Sequence, residues 1–199
     1  MAEALGDLAG TDAVILGIPR GGVLVAAEVS RALGLPLDVV VPRKIGAPSN
    51  PELGIGAVAP GVRVLDAAMI RRLDVGPAYL EREIAAQERE IERRSAAYRG
   101  GRPSADIAGR TAVVVDDGVA TGGTAVAALR WARARGAREV VLAVPVAPAQ
   151  AVPMLARECD RIVVLETPEP FTAVGEWYRR FGQASDADVV EALGRRAGD

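Results

Sequence analysis

Short apolar runs alternate along this chain with segments of helical length, and this alternation limits the folds that the chain can adopt. Runs rich in Val, Ile and Leu predict strands, and the segments between them predict helices. The predicted strands cover residues 13–18, 37–41, 111–115, 139–144 and 161–165, and the predicted helices cover residues 22–33, 123–135 and 148–157. Since continuously apolar strands are typical of sheets covered on both faces, we predict an α/β fold with a mainly parallel sheet flanked by helices.

Two segments depart from this alternation. Residues 55–59 and 62–65 predict a hairpin, because the Pro-Gly pair between them favours a turn. Residues 77–99 predict a charged helix that carries one apolar stripe. The stripe consists of Leu80, Ile84 and Ile91. Such a helix either packs against the domain through its stripe or protrudes as an arm for a dimer.

The composition excludes several classes of function. The chain contains no histidine, which excludes histidine-based triads, the usual zinc sites and a histidine general base. Its single cysteine excludes a disulfide within the chain and favours a reducing compartment. The net charge of −2 gives no overall attraction to nucleic acid, and no run reaches the roughly 18 apolar residues of a membrane span. Because residues 1–11 also lack the pattern of a signal peptide, we expect a cytoplasmic protein with neither a nucleic-acid nor a membrane partner.

The most informative segment is residues 113–124, where a predicted strand ends in Asp116 and Asp117 and a loop of small residues leads into a predicted helix. Ligands bind at the carboxyl ends of strands in such sheets. The backbone N–H groups of a small-residue loop and of a helix N-terminus attract phosphate, and Thr121 and Thr124 add hydroxyl donors. The adjacent carboxylates suit vicinal hydroxyls or a hydrated Mg²⁺. Together these groups fit a ribose 5-phosphate; the alternative is an ordinary strand–turn–helix junction with capping acids.

This segment resembles the motif that binds 5-phosphoribosyl-1-pyrophosphate (PRPP) in type I phosphoribosyltransferases, and residues 120–124 are most similar to adenine phosphoribosyltransferase. The resemblance implies the type I fold with a small hood, and it implies that Asp116 and Asp117 hold the ribose hydroxyls. It also implies a PRPP-binding loop made of Gly118, Val119, Ala120, Thr121, Gly122, Gly123 and Thr124. In the 6-oxopurine members an acid stands at the position of Ala120, so the resemblance argues against hypoxanthine or guanine as the acceptor.

A second match lies at Arg20, Gly21 and Gly22, which again follow a predicted strand and open a helix. Adjacent glycines let backbone N–H groups turn onto an anion, and an arginine can contact pyrophosphate oxygens. By resemblance this is the family's pyrophosphate loop, which often contains a non-proline cis peptide. The alternative is a purely structural turn.

A third region, residues 43–54, is rich in Gly, Pro, Ser and Asn, as a mobile loop would be. By resemblance it is the flexible loop that closes over the site, so that Arg43 and Lys44 meet pyrophosphate. Glu52 either meets a proton of the acceptor base on closure or caps a turn. The alternative for the whole region is a solvated loop with ordinary charges.

The variable hood of the family recognises the nitrogenous acceptor, and the best candidate for it is the segment 166–180. We expect Phe171 and Trp177 to contact the acceptor, because aromatic rings stack on flat bases. The same aromatic residues could instead pack the tail onto the domain. We divide the chain into a core over residues 1–165, with a loop at 43–60 and a helical insertion at 66–104, and a hood or tail over 166–199.

The resemblance predicts a Mg²⁺-dependent pentosyltransferase, a glycosyltransferase of nucleotide salvage that moves 5-phosphoribosyl from PRPP to a purine- or pyrimidine-like acceptor. The expected catalytic residues are Lys44, Glu52, Asp116 and Asp117, and the two aspartates would contact the metal indirectly, through ribose or water. A homodimer is the expected assembly. The alternatives are a non-catalytic regulatory protein of the same fold that binds PRPP or a nucleotide, and an enzyme that acts on another phosphosugar.

Overall fold

The strands and helices follow one another largely as the apolar pattern predicts. The computed structural model describes residues 1–194 of the chain. The strands are β1 (Val14–Gly17), β2 (Leu37–Val39), β3 (Arg43–Ala47), β4 (Asn50–Ala59), β5 (Val62–Leu65), β6 (Thr111–Val115), β7 (Glu139–Val146) and β8 (Arg161–Glu166). The α-helices are α1 (Gly21–Leu33), α2 (Ala67–Arg72), α3 (Pro77–Arg99), α4 (Gly123–Ala134), α5 (Val152–Leu155) and α6 (Asp186–Gly194). Three 3-10 helices cover Glu3–Leu8, Ala149–Ala151 and Val174–Trp177.

The main sheet has five parallel strands in the order β2-β1-β6-β7-β8. Every residue of β1 and β6 is buried, as their uninterrupted apolar sequences require. Helix α4 packs on one face of the sheet, whereas α1 and the first 3-10 helix pack on the other. The predicted α/β fold with a parallel sheet flanked by helices is therefore confirmed, and the carboxyl ends of β1 and β6 lie side by side at one edge.

A second, antiparallel sheet of three strands, in the order β3-β4-β5, contains the region that was predicted to be a loop. The prediction of a loop-like backbone over residues 43–54 is wrong apart from the turn, whereas the strand predicted over residues 55–59 is present as the second half of β4. Gly, Pro, Ser and Asn suggested a loop, but the apolar side chains between them, such as Ile45 and Ile55, are fully buried against α3. Burial of these side chains outweighs the weak strand propensity of their neighbours, and only Pro48 and Ser49 form the turn between β3 and β4.

The charged helix begins and ends at the predicted residues and packs against the domain through its apolar stripe. Ile84, Ile91 and Tyr98 are buried against β2, β3 and α6, so α3 covers the second sheet and is not a protruding arm. None of the helices within residues 1–194 is long and apolar enough to cross a lipid bilayer.

The C-terminal segment returns to the domain. Helix α6 packs on α1 and α3, and its buried residues Val189, Ala192 and Leu193 join the same apolar cluster. The predicted helix over residues 148–157 is shorter, with a 3-10 turn followed by α5. Of the predicted hood, residues 195–199 lie outside the described part of the chain.

Candidate functional site

The carboxylate pair lies at the centre of the edge where the parallel strands end. Asp116 and Asp117 directly follow β6, which is flanked by β1 and β7. The loop after them reaches Gly122, which has φ +83° and immediately precedes α4. An L side chain at this position would be strained, and its Cβ would lie 2.7 Å from Met154 Cε. The sequence of small residues is therefore what allows the chain to turn from β6 into α4 in this short space.

A cavity of about 430 Å³ opens in front of this loop. One wall is formed by Asp116 and by the loop and helix start, Gly118, Val119, Ala120, Thr121, Gly122, Gly123 and Thr124. A second part of the wall is formed by Lys44 and by residues of β4, β5 and the position after β5, namely Gly54, Gly56, Ala57, Val64, Leu65 and Asp66. Val174 of the C-terminal segment completes the lining. The volume falls in the range of small-molecule sites.

The two aspartates face different spaces. Asp116 lines the cavity, whereas Asp117 lines a neighbouring groove of about 410 Å³ together with Gly21, Tyr178 and other residues. The backbone N–H of Asp117 donates to Asp116 Oδ1 at 2.9 Å. Burial raises the pKa of Asp116 well above its usual value, and the neighbouring Asp117 carboxylate raises it further. Burial also raises the pKa of Asp117. The pair is therefore ready to accept hydroxyl donors or a cation that would compensate the buried charge.

The predicted pyrophosphate loop lies directly against the aspartates. The peptide bond between Pro19 and Arg20 is cis. A Cβ atom on Gly21 would overlap the Asp117 carboxylate, and one on Gly22 would lie 2.7 Å from Asp116 Cα. Glycine at both positions therefore permits the loop and the end of β6 to meet. The exposed Arg20 has its Nη1 atom 4.0 Å from Oδ1 of Asp186, at the start of α6.

Arg43 and Lys44 lie on opposite sides of β3, because successive side chains of a strand alternate. Lys44 reaches the cavity and its Nζ lies 3.0 Å from the Glu52 carboxylate and 3.0 Å from the Glu52 carbonyl oxygen. Arg43 turns towards α3, where its Nε donates to Gln87 Oε1 at 2.8 Å. Burial and the nearby Arg94 lower the pKa of Arg43. Lys44 therefore lines the same cavity as Asp116, whereas Arg43 lines a neighbouring polar pocket that Lys44 also borders.

Glu52 and the two predicted acceptor-binding aromatic residues lie outside the wall of the cavity. The side chain of Glu52 is 91% exposed and is paired with Lys44. Phe171 is half-buried, and Trp177 is 45% exposed. Phe171 precedes the 3-10 helix and Trp177 is its last residue, but it is Val174, the first residue of this helix, that lines the cavity. The segment thus reaches the site through a residue that was not predicted.

Tyr178 is a second contact that sequence reasoning missed. Its hydroxyl donates to the backbone carbonyl oxygen of Asp117, and its ring lies 5.3 Å from that of Phe181. Burial and the charges of Asp117 and Asp116 raise the pKa of Tyr178 to about 12. The C-terminal segment therefore packs on the carboxylate turn, which agrees with the alternative that its aromatic residues hold the tail in place.

Asp66 is the third missed residue. It follows β5 and lines the same cavity as the loop of residues 118–124. The available signal was its position: a carboxylate immediately after a predicted strand, as with Asp116 after β6. It was missed because nothing in the sequence shows that the second sheet folds over the first.

The acidic residues near the site limit how a metal could bind. Within residues 1–194, no group of three or more His, Cys, Asp and Glu side chains could hold a metal ion. The adjacent pair, Asp116 and Asp117, matches sites in which Mg²⁺ takes one or two protein carboxylates and completes its shell with substrate oxygens and water. The residues present therefore fit a substrate-borne Mg²⁺.

Comparison with known proteins places these features in a family context. The family profile "Phosphoribosyl transferase domain" matches residues 1–171. Two Mycobacterium tuberculosis proteins, named "Putative phosphoribosyl transferase Rv0571c" and "Putative phosphoribosyl transferase MT0597", are each 47% identical over 196 residues, or 98% of this chain. This chain spans 44% of the length of each. The crystal structure of TT1426 from Thermus thermophilus matches with a TM-score of 0.80 and 48% identity, over 96% of this chain and 91% of that one.

Proposed function

Since this chain belongs to the phosphoribosyl transferase family, we propose that it transfers 5-phosphoribosyl from PRPP to a purine- or pyrimidine-like nitrogen acceptor and releases pyrophosphate. The observation that carries the proposal is the meeting of three groups around one cavity: a small-residue loop at a helix N-terminus, the half-buried carboxylate of Asp116 and Lys44. Each suits a different part of PRPP.

The loop of residues 118–124 would bind the 5-phosphate. Its backbone N–H groups and the N-terminus of α4 supply positive potential, and Thr121 and Thr124 can donate hydrogen bonds. Asp116 and Asp117 would accept hydrogen bonds from the ribose hydroxyls, which compensates the cost of their burial. Lys44 and Arg20 would bind pyrophosphate. For Lys44, pyrophosphate would replace the contact with Glu52 as its anionic partner.

The reaction breaks the bond between C1 of ribose and a pyrophosphate oxygen and forms a bond from C1 to the acceptor nitrogen. Pyrophosphate leaves with the bonding electrons, and the acceptor loses a proton to solvent or to a nearby base. Positive charge that develops at ribose is stabilised by Asp116, and negative charge on pyrophosphate by Lys44 and Arg20. The cavity also holds the reactants in position, so no covalent intermediate with the protein is required.

Mg²⁺ would enter with PRPP, and Asp116 and Asp117 would contact it through ribose oxygens or water. When bound, the ion neutralises part of the pyrophosphate charge. Arg43 does not take part in this proposal as the structure stands, since its guanidinium is held by Gln87 on the far side of β3.

The proposal is tested by calorimetric titration of the wild-type protein and the Asp116→Asn/Asp117→Asn double variant with PRPP and Mg²⁺. We expect binding by the wild type and none by the double variant, because amides bind ribose hydroxyls and Mg²⁺ poorly. Asp106→Asn is the matched control: Asp106 also caps a turn, accepting from Ala108 N at 3.1 Å, but lies away from the cavity. Undiminished binding by the double variant would refute the assignment.

A second candidate function is a non-catalytic PRPP- or nucleotide-binding regulator of the same fold. The placement of Arg43 outside the cavity favours it, because one fewer cation is then available for the leaving group. Turnover distinguishes the two: release of pyrophosphate from PRPP in the presence of adenine, guanine, hypoxanthine, xanthine, uracil or orotate supports the transferase, whereas binding without release with any of them supports the regulator.

Three further properties are part of this proposal. We propose a homodimer, a cytoplasmic location and a role in nucleotide salvage, all from the resemblance to type I phosphoribosyltransferases. Light scattering of the purified chain tests the first, and a molar mass of one chain would contradict it.

A further inference from the structure

The part of the cavity wall that β4 and β5 form differs in character from the loop of residues 118–124. These two strands pair in antiparallel register, and their residues that line the cavity are small or apolar: Gly54, Gly56, Ala57, Val64 and Leu65. Leu65 is 41% exposed and presents apolar surface to the cavity. Directly after Leu65, this wall carries one carboxylate, that of Asp66.

Asp66 is poorly suited to any part of PRPP. A carboxylate repels phosphate and pyrophosphate, which have their own cationic or N–H partners at Lys44 and the loop of residues 118–124. The ribose hydroxyls are the only donors of PRPP, and Asp116 and Asp117 stand ready for them. The Asp66 carboxylate can accept a further donor besides the backbone of α2, and the remaining reactant of the proposed reaction is the nitrogen acceptor.

The apolar surroundings of Asp66 indicate the shape of that donor. Leu65 packs over Gly56, where an added Cβ would lie 2.9 Å from its Cδ2 atom. The methylene groups of Lys44 pass over Gly54, so these aliphatic groups make this part of the wall apolar. A planar heterocycle fits against such a surface and can present an N–H group at its edge to Asp66. This arrangement combines a mostly apolar site with one polar group that fixes orientation, as small-molecule sites commonly do.

We propose that this wall is the acceptor side of the cavity, and that Asp66 determines specificity by accepting a hydrogen bond from an N–H group of the base other than the reacting nitrogen. The inference rests on the proposed function. It moves acceptor recognition from the aromatic residues of the C-terminal segment to the second sheet. Acceptors with such an N–H group are preferred over those without one.

Asp66 also has a structural role that the test must separate. Its Oδ1 accepts from Met69 N at 2.9 Å and so caps α2. A carboxylate has about four acceptor positions on its two oxygens, so capping leaves capacity for a ligand. Asn caps helices about as well as Asp, so Asp66→Asn keeps the cap and removes the charge. Asp66→Ala removes both, and Asp106→Asn is the matched control for loss of one exposed turn-capping charge.

The experiment compares ribose 5-phosphate with the nucleoside monophosphates AMP, GMP, IMP and UMP by calorimetric titration without pyrophosphate, so that no turnover occurs. Ribose 5-phosphate reports the proposed PRPP site, and any extra affinity of a nucleotide reports the base. We expect at least one nucleotide to bind more tightly than ribose 5-phosphate. In Asp66→Asn this extra affinity falls about 10-fold, the difference between a charged and a neutral acceptor, while ribose 5-phosphate binds as before.

The outcomes separate the two proposals. If ribose 5-phosphate does not bind the wild type, the proposed function itself fails. If it binds but no nucleotide binds more tightly, or if Asp66→Asn keeps the full extra affinity, the assignment of Asp66 is wrong and the proposed function stands. An equal loss for ribose 5-phosphate and nucleotides in Asp66→Asn, with an unchanged melting temperature, also overturns the assignment, because Asp66 would then act on the phosphoribosyl part.

Discussion

Gly22 is the residue at which the pyrophosphate-type loop meets the end of β6, and its replacement by alanine tests whether these two segments must touch. The new Cβ would lie 2.7 Å from Asp116 Cα, 2.8 Å from Asp116 Oδ1 and 2.9 Å from the carbonyl oxygen of Val115. Ordinary contacts begin at 3.4 Å, and two of these atoms belong to the backbone of a buried strand end. A flexible side chain cannot relieve the clash, so the loop and the strand end must separate by about 0.7 Å.

The expected change in the free energy of unfolding of Gly22→Ala is the sum of two opposing effects. Overpacking a buried contact costs about 1–3 kcal/mol, and the higher helix propensity of alanine returns up to about 1 kcal/mol, since Gly22 lies in the first turn of α1. The free energy of unfolding should therefore fall by about 1–2 kcal/mol, and each kcal/mol lowers the melting temperature by about 2–4 °C in a chain of this size. The same displacement moves Arg20 away from Asp116, so we expect the affinity for Mg²⁺-PRPP to fall by about 10-fold or more.

Urea unfolding followed by circular dichroism measures the first effect, and calorimetric titration the second. Gly123→Ala is the matched control for stability: Gly123 also opens a helix, but a Cβ there meets nothing within 4 Å. That variant should be as stable as the wild type or more stable by up to about 1 kcal/mol. If Gly22→Ala unfolds at the same urea concentration as Gly123→Ala, the reasoning from contact distances is refuted.

Three further predictions concern single groups. Asp38→Ala leaves Arg99 without its buried partner at 2.9 Å and should lower the free energy of unfolding by about 3–5 kcal/mol in urea; a loss below about 1 kcal/mol would contradict it. Burial raises the pKa of Asp116 above its unfolded value, so its charge opposes folding at neutral pH and no longer does so below about pH 3.9. Asp116→Asn should therefore raise the melting temperature at neutral pH, by a gain that shrinks on acidification; a gain independent of pH would contradict the stated cause. Tyr178→Phe removes the hydrogen bond to the Asp117 carbonyl and should lower the free energy of unfolding in urea by about 1 kcal/mol. This variant should also bind Mg²⁺-PRPP more weakly than the control variant Phe181→Leu does. Equal binding by the two variants would show that this hydrogen bond does not position the carboxylate turn.

The elements that were predicted well are those whose apolar pattern is decided locally. Strand β6 and helix α3 begin and end at the predicted residues, because one is uninterrupted Val and Ala after Thr111 and the other is bounded by Pro77 and Gly100. The hairpin of β4 and β5 around Pro60 was also expected. The prediction failed at residues 43–54, where loop-like composition conceals a strand pair that is stable only because α3 covers it.

The predictions for the site divide in the same way, into those that depend on local sequence and those that depend on packing. Residues 113–124 were predicted to form a phosphate-binding loop with adjacent carboxylates, and most of them line one cavity together with Lys44. Pyrophosphate binding by Arg43 stays a prediction: its Nε donates to Gln87 Oε1 on α3, and it does not line the cavity that Lys44 lines. The alternation of side chains along β3 separates the two residues, which a loop-like reading of this segment did not anticipate. Glu52 pairs with Lys44 and does not line the cavity.

What the sequence by itself determined is local chemistry: the order of strands and helices, the glycines that permit two close turns, and the carboxylates at a strand end. These features depend on residues that are neighbours in the chain, so they can be recognised from the sequence alone. Only the tertiary structure decided which side chains share a space. It placed Asp116 and Asp117 against different spaces, set Tyr178 on the carboxylate turn and brought Asp66 to the cavity that residues 118–124 line. Each of these follows from packing between segments separated by tens of residues, for which local pattern carries no signal.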